Sequence, residues 1–458
     1  MSRPLDGPVL VAGLGVTNTA AARALIRHGV AVTLFDDGDP SAGTALAEEL
    51  GVGFTHRPDA AELDRLVAAH AAVLPAPGLP ESHPVFAAAT GLHRPVLSEL
   101  DLAGAWDDRP VLAITGTNGK TTVTLLVVAM LEASGVATAA VGNLEVPLVA
   151  AIDDPRPRCF VVEASSFRLG HSRRFAPRVG TWLNFAPDHL DVHRDLEAYR
   201  AAKARIWADQ GDGDTAVANA EDPVVAAAAL VPARAGARVW RYALSPEVDG
   251  TPTDFHEADG PGGTRHLVGP DGLDLGESAA LWRTLPHDRA NALAAAATAL
   301  AGGATPDGVR RALGEFRGLP HRVELVGETG GVRWYDDSKA TAPHATLAAA
   351  SGFERVVLIA GGRNKGLDLT ALGHADSVVA VVGIGEAAGE VLEAFPALPG
   401  VVAPSMADAV HTAAGLAAPG DVVLLSPGCA SFDWYGSYAE RGDDFAGEVR
   451  RLEGSGRP

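Results

Sequence analysis

The stretch Val111–Thr124, VLAITGTNGKTTVT, limits what this chain can fold into more than any other. Val111 to Ile114 is a short apolar run that reads as a buried strand, and Val123 to Ser134 carries a helical pattern, so Thr115 to Thr122 must turn sharply between them. A strand, a glycine-rich turn and a helix in immediate succession make a phosphate cradle. Gly116 and Gly119 let the backbone approach a ligand, and the helix N-terminus aims free N–H groups at it. Lys120 adds positive charge, and Thr121 has a hydroxyl suited to Mg2+. The full G-x-x-x-x-G-K-[ST] pattern would place glycine where Ile114 stands, so this is a shortened variant. A bare strand-to-helix turn has no use for a lysine and two threonines in register.

Composition narrows the partners. A chain of 458 residues has room for about three domains, and 47% hydrophobic with 21% charged residues describes a globular protein. A formal charge of −20 argues against nucleic acid or an anionic membrane surface as partner. Cys159 and Cys429 are too few for a disulfide framework, and the opening MSRPLDGPVLVAGLG lacks the basic and long apolar regions of a signal peptide. No run approaches the roughly 18 apolar residues of a spanning helix, so the expected location is the cytoplasm. More telling are the four lysines, Lys120, Lys203, Lys339 and Lys365, in a set of 37 basic residues. Where arginine serves whenever only charge is required, a surviving lysine marks a place that needs a compact ammonium or a modifiable amine.

Taken in order, Val9–Ala12, Gly13-Leu-Gly15-Val-Thr-Asn18, a helical stretch to His28 and a strand from Ala31 to Phe35 form a Rossmann-like opening, closed by Asp36 and Asp37. Asn18 stands at the third fingerprint position, so a dinucleotide and another nucleotide diphosphate fit equally well. Leu100 to Pro110 reads as the linker out of this unit. In the centre, Cys159-Phe-Val-Val-Glu163 is an apolar strand ending in a carboxylate, the placement of an acid that holds Mg2+ beside a phosphate loop. Lys203 lies on an Ala-rich helix beside Ala201, Ala202 and Ala204, unusual surroundings for an amine that is not used. Residues 245–276, rich in Gly, Pro and Asp, have little periodicity and read as a variable excursion. Asn291 falls near the start of an Ala-rich helix, where capping and purine recognition are both open to it. From Gly318 onward, Val332–Asp336, Val356–Gly362, Val378–Val382 and Asp421–Ser426 are strands ending in polar clusters, which places a site along the edge of an open parallel sheet. The expected fold is α/β in three domains: residues 1–105 Rossmann-like, 106–318 a P-loop ATPase-like parallel sheet, and 319–458 Rossmann-like again.

The ordered set Gly116-Thr-Asn-Gly-Lys-Thr122, Glu163-Ala-Ser-Ser-Phe, Asn184 to His189, Tyr199-Arg-Ala-Ala-Lys203, Leu319-Pro-His-Arg-Val-Glu324, Asp337-Ser-Lys-Ala-Thr341 and Leu425-Ser-Pro-Gly-Cys-Ala-Ser431 resembles the motifs of the Mur ligase family. The Asp-Ser-Lys-Ala-Thr and Ser-Pro-x-Cys-Ala-Ser stretches are similar to those of members that add D-glutamate to UDP-N-acetylmuramoyl-L-alanine. The Asp-Asn-Pro-Arg motif of the members that add the third residue is absent. The resemblance implies that Gly116, Thr117, Asn118, Gly119, Lys120, Thr121 and Thr122 hold the phosphates of ATP, with Asn291, Arg322 and Asp336 on its adenine, phosphate and ribose. It places Thr121 and Glu163 on one Mg2+, and His189 with a carbamylated Lys203 on a second. Val16, Thr17, Asp36, Asn143, Ser165 and His189 would meet the UDP substrate, and Lys339, Thr341, Lys365 and Ser426 would grip D-glutamate. The first loop, VTNTA, departs from the usual Gly- and Ser-containing version, and Gly361-Gly-Arg-Asn-Lys365 from the commoner acidic one.

The implied reaction is ATP-dependent amide formation by a monomer acting on small molecules, without nucleic acid or membrane insertion. The alternatives are another ligase of the same type, an NAD-dependent oxidoreductase, or a P-loop protein that binds ATP only to change its association with a partner.

Overall fold

The computed structural model describes residues 7–190 and 192–454, which divide into two compact units: residues 7–284 with 288–316, and residues 285–287 with 317–454. Asp191, inside the polar turn that follows His189, lies outside the described residues.

The first unit opens with a four-stranded parallel sheet in the spatial order Gly53–His56, Val32–Asp36, Val9–Ala12, Ala72–Pro75. The order in which the chain adds strands reverses between Val9–Ala12 and Ala72–Pro75, and the crevice beyond their C-terminal ends is where such sheets bind ligands. Asn18, 1% exposed, donates from Nδ2 to the carbonyls of Ala12 (3.1 Å) and Leu74 (3.0 Å) and so ties the two strands at that point. This gives a physical reason for a side chain where the fingerprint wants none.

The same unit continues as a six-stranded, wholly parallel sheet ordered Arg238–Tyr242, Thr215–Asn219, Val179–Trp182, Val111–Thr115, Cys159–Glu163, Thr138–Gly142. Strands covered on both faces should read as unbroken apolar runs. Cys159–Glu163 does so up to its terminal carboxylate, and every residue of it and of Val179–Trp182 is buried. The helices Lys120–Ala133, Pro286–Ala301 and Pro306–Glu315 share one core with this sheet, and the Thr181 and Thr298 hydroxyls meet at 2.7 Å.

One expectation is corrected. Leu100 to Pro110 is not a linker, because Glu99–Trp106 is a helix with a capping box. The Ser98 hydroxyl accepts the Leu100 N–H at 3.3 Å, and the Asp101 carboxylate accepts the Ser98 N–H at 2.9 Å. The other Asp101 oxygen accepts the N–H groups of Arg173 and Arg174 at 2.7 and 2.8 Å, so the helix is docked on the central sheet's own segments. Within the excursion at residues 245–276 and just beyond, His256–Asp259, Arg265–Gly269 and Leu273–Glu277 form an antiparallel three-stranded sheet. Its strands are so short that turn residues outnumber the alternation that would have marked them.

The second unit holds a six-stranded sheet ordered Glu324–Thr329, Val332–Asp336, Val422–Leu425, Val356–Gly361, Val378–Ile384, Gly400–Val402. Glu324–Thr329 is antiparallel to its neighbour and the remaining pairs are parallel. Leu285 packs into this unit's core with Tyr335 and Leu358. Among the described residues no helix is long and apolar enough to cross a membrane.

Replacing Ser98 by Ala removes one half of the capping box and should cost about 1 kcal/mol. Urea denaturation followed by far-UV circular dichroism checks this as a lower midpoint at unchanged slope.

Candidate functional site

The phosphate loop leaves the centre of the six-stranded sheet, between strands ending at Trp182 and Glu163. Asn184 braces it. The Thr117 N–H donates to the Asn184 carbonyl (3.1 Å), the Asn118 N–H to Asn184 Oδ1 (2.8 Å), and Asn184 Nδ2 to the Asn118 carbonyl (3.3 Å). Gly119 caps the helix Lys120–Ala133 at φ +82°, a conformation that side chains resist. A Cβ there would stand 2.7 Å from Asn291 Oδ1, so the Ala-rich helix brings Asn291 directly onto the loop.

Lys120 curls back over the loop, its Nζ donating to the carbonyls of Gly116 (2.9 Å) and Thr117 (3.0 Å). Lys203 reaches the same Gly116 carbonyl from the helix Leu196–Ala204, with Nζ at 2.7 Å. It is 1% exposed and lies 4.7 Å from the centre of the Tyr199 ring, whose hydroxyl in turn meets Thr117 Oγ1 at 3.2 Å. Burial, followed by the charge of Lys120, pushes the Lys203 amine well below its ordinary range, while Asp188 and Glu163 pull the other way. The four lysines thus differ in access: Lys203 is buried, Lys120 and Lys339 are half-buried, and Lys365 is exposed.

Glu163 is 3% exposed. Its Oε1 accepts from Asn143 Nδ2 at 3.0 Å, and Oε2 is buried with no hydrogen-bond partner. An orphaned carboxylate oxygen beside a phosphate loop is costly unless a cation takes it, so the donor set here fits Mg2+. Gly142 makes the approach possible. It lies at φ +101° with its would-be Cβ 2.5 Å from the Glu163 carbonyl, whose oxygen accepts the Asn143 N–H at 2.8 Å. Thr121 sits in the first turn of the loop helix. His189, at φ +57°, has Nε2 3.5 Å from Asp188 and packs edge-on to Phe167 and Tyr199. Ser165 caps the helix Ser166–Gly170.

On the first sheet, Val16 is 73% exposed at the start of the helix Val16–Arg27, whereas Thr17 is buried and accepts from Arg168 Nη2 at 2.9 Å. Asp36 is occupied by backbone: its carboxylate accepts the N–H groups of Leu14, in the first glycine loop, and of Gly38. Two connections escaped the sequence reading. His193, 4% exposed, bridges Glu81 Oε1 (2.8 Å) and Ser166 Oγ (2.9 Å), and Arg168 bridges Glu99 and Thr17. Both join residues more than 25 positions apart, for which no local pattern exists.

In the second unit the ends of Val332–Asp336, Val422–Leu425 and Val356–Gly361 share one sheet edge, which brings their loops together. The Gly428 N–H donates to the Ala340 carbonyl, the Gly361 N–H to Pro427, and Arg363 and Ala430 exchange both backbone bonds. Lys339 lies 5.5 Å from the Tyr438 ring centre, and Thr341 is half-buried. Ser426 is 0% exposed and its hydroxyl donates to Asp337 Oδ2 at 2.8 Å. Asp336 accepts from His321 Nδ1 (2.7 Å) and the Ser338 N–H (2.8 Å), and burial raises its carboxyl above the ordinary range. Arg322 lies between His321 and Val323, both at positive φ (+57° and +47°), which for a β-branched valine is a strained conformation.

Residues 114–299 match the Mur ligase middle domain and residues 321–429 the Mur ligase glutamate ligase domain. The chain is 42% identical to the UDP-N-acetylmuramoylalanine--D-glutamate ligase of Frankia casuarinae, covering 98% of this chain and 94% of that protein. With the protein of the same name from Syntrophus aciditrophicus the identity is 38%, over 96% and 97% of the two chains. Among solved structures, MurF from Acinetobacter baumannii aligns with a TM-score of 0.60 at 16% identity, over 97% of this chain and 90% of that one. A pseudomurein peptide ligase type C from Methanothermus fervidus aligns with a TM-score of 0.59 at 18% identity, over 98% and 100%. At such identities these two speak to the fold alone.

Gly142→Ala forces a methyl group against the Glu163 backbone and should cost at least about 1–3 kcal/mol together with a weaker Mg2+-dependent nucleotide affinity. Denaturation and nucleotide titration with and without Mg2+ check both, with Gly104→Ala, where a Cβ meets nothing within 4 Å, as the neutral control.

Proposed function

The chain belongs to the Mur ligase family, and from that premise we infer that it is the ATP-dependent ligase that joins D-glutamate to UDP-N-acetylmuramoyl-L-alanine in peptidoglycan precursor synthesis. The observation that carries the reading is identity of 37–42% across nearly the full chain with relatives named for this reaction. The phosphate loop and its two lysines supply the chemistry it requires.

A carboxylate and an amine do not condense at neutral pH without activation. The alanyl carboxylate attacks the γ-phosphorus of ATP, and the bond to the β–γ bridging oxygen breaks, leaving an acyl phosphate and ADP. The D-glutamate amine then adds to the acyl carbon, and the tetrahedral intermediate expels phosphate as the amide forms. The loop N–H groups at Gly116 to Thr122 hold the nucleotide phosphates. Lys120 exchanges its loop carbonyls for the phosphoryl group in transit, whose charge it offsets. Thr121 and Glu163 would hold one Mg2+, and His189 with Lys203 a second, which when bound supply Lewis acidity and charge neutralisation at the phosphates.

Lys203 cannot ligate a cation as an ammonium. Its lowered pKa supports a neutral amine, whose lone pair can attack CO2, lose a proton and become an anionic carbamate. Asn291, Arg322 and Asp336 remain the proposed contacts for the rest of the nucleotide. Val16, Thr17, Asp36, Asn143, Ser165 and His189 serve the UDP substrate, and Lys339, Thr341, Lys365 and Ser426 serve D-glutamate. Residues 1–105, 106–318 and 319–458 are accordingly the proposed UDP-substrate, ATP and amino-acid domains of a monomeric cytoplasmic enzyme.

Phosphate release measured with the UDP substrate and a panel of amino acids should show D-glutamate accepted and D-glutamine poor, because the amide leaves a lysine without its charged partner. Equal rates would overturn the amino-acid assignment. For the carbamate, Lys203→Arg should be nearly inactive although arginine serves as the cation almost everywhere else in this chain, and added acetate should partly restore Lys203→Ala. An active Lys203→Arg enzyme removes the carbamate from the mechanism.

A further inference from the structure

Arg168 is a charged side chain at a depth where charges are rarely left without purpose. It belongs to the short helix Ser166–Gly170, three residues beyond Ser165, and is 5% exposed. Nη1 donates to Glu99 Oε1 at 2.6 Å, and the second Glu99 oxygen accepts the Val149 N–H at 3.0 Å. Nη2 crosses to the first sheet's leading helix and donates to Thr17 Oγ1 at 2.9 Å, while Nε is buried without a partner. If Arg168 served only to neutralise Glu99, one edge of the guanidinium would suffice and the fork would have no reason to extend to Thr17.

A hydroxyl has one proton and two lone pairs. With Arg168 donating into a lone pair, Thr17 can act toward any further partner chiefly as a donor, and among the described residues no acceptor takes its proton. The helix Val16–Arg27 begins at Gly15, which has no side-chain cap, and carries no acidic residue in its first turn. Its free N–H groups and the Thr17 O–H therefore form a donor-only surface in the crevice beyond Val9–Ala12 and Ala72–Pro75, a surface complementary to an anion.

We propose that Arg168 is a positioning residue for the UDP-linked substrate: anchored by Glu99, it turns the Thr17 hydroxyl so that its proton is given to a diphosphate oxygen at the start of the helix Val16–Arg27. The proposal rests on the ligase reading above and adds a residue and a direction to it. Because Arg168 and Ser165 share one short helix and its cap, the same element registers the diphosphate relative to the strand end that carries Glu163. Hydrogen bonds in series polarise one another, so the donation from Arg168 into Thr17 strengthens the Thr17 hydroxyl as a donor beyond what an isolated threonine offers.

The test is a double-mutant cycle read in KM. Thr17→Val keeps the shape and the Glu99–Arg168 pair but removes the donor. It should raise KM for UDP-N-acetylmuramoyl-L-alanine about 10- to 100-fold, with KM for ATP and D-glutamate little changed. Arg168→Met combined with Glu99→Leu removes both charges together, so that neither is left buried alone. It should raise the same KM, and adding Thr17→Val to it should cost less than about 3-fold more. Arg168→Lys, whose single ammonium serves Glu99 at the expense of Thr17, should show the same rise and covers the case in which the double variant does not fold. A KM within about 2-fold of the parent in Arg168→Lys, or an undiminished Thr17→Val effect in the double variant, overturns the proposal. UDP affinity by calorimetry separates the two readings. If the parent releases no phosphate with its three substrates the ligase reading fails, while loss of UDP binding in Thr17→Val still upholds the hydroxyl's role and unchanged binding refutes it.

Discussion

The carbonyl oxygen of Gly116 accepts from both Lys120 and Lys203, and the arrangement around it depends on that shared acceptor. Two full positive charges on one buried oxygen would repel strongly in a medium of low dielectric constant. Burial, followed by the charge of Lys120, pushes the deeper amine well below its ordinary range, which eases that conflict. The helix Leu196–Ala204 is built for this. Tyr199 lies under the amine, alanines flank it, and the Tyr199 hydroxyl returns to the loop through Thr117. Opposite stands the orphaned oxygen of Glu163. The loop therefore gathers the Lys120 and Lys203 amines and the partnerless Glu163 oxygen in one place.

Around this centre the first unit is fastened largely by carboxylates that take backbone N–H groups from distant segments. Glu81 clamps the loop between His189 and Lys203 three times: its N–H donates to the Val192 carbonyl, and its carboxylate accepts from His193 and from the Arg194 N–H. Asp101 holds Arg173 and Arg174 by their N–H groups, and His28 stacks on Trp106 within 3.9 Å. These ties fix the crevice of the four-stranded sheet relative to the phosphate loop, as a reaction needs when one end of a long substrate is held so that its other end can react.

The parts legible in the sequence were those written locally. A strand, two glycines, a lysine and a helix occupy adjacent positions, so the phosphate loop and the acid at Glu163 could be read from spacing, and parallel strands announced themselves as apolar runs. What could not be read was carried by partners distant in the chain. Asn184 bracing the loop from 66 positions away, and Arg168 meeting Thr17 across 151, leave no mark on their neighbours. Asn18 looked like a broken fingerprint until its amide was seen to join two strands. The helix Glu99–Trp106 was hidden by its length, two turns that only a capping box and docking hold in place. The bond from the buried Ser426 hydroxyl to Asp337, 89 positions away, is equally invisible in the motif.

The graded burial of the four lysines has a practical side. In most proteins an amine-selective reagent labels a crowd of surface lysines and reports on nothing in particular. Here the side-chain amines are four, Lys120 and Lys203 at the phosphate loop of the first unit and Lys339 and Lys365 in the strand-end loops of the second, and their accessibility is ranked from exposed Lys365 to enclosed Lys203. The order in which acylation proceeds would thus trace, without any engineered tag, which loops are covered as each substrate arrives, making the native chain its own footprinting probe.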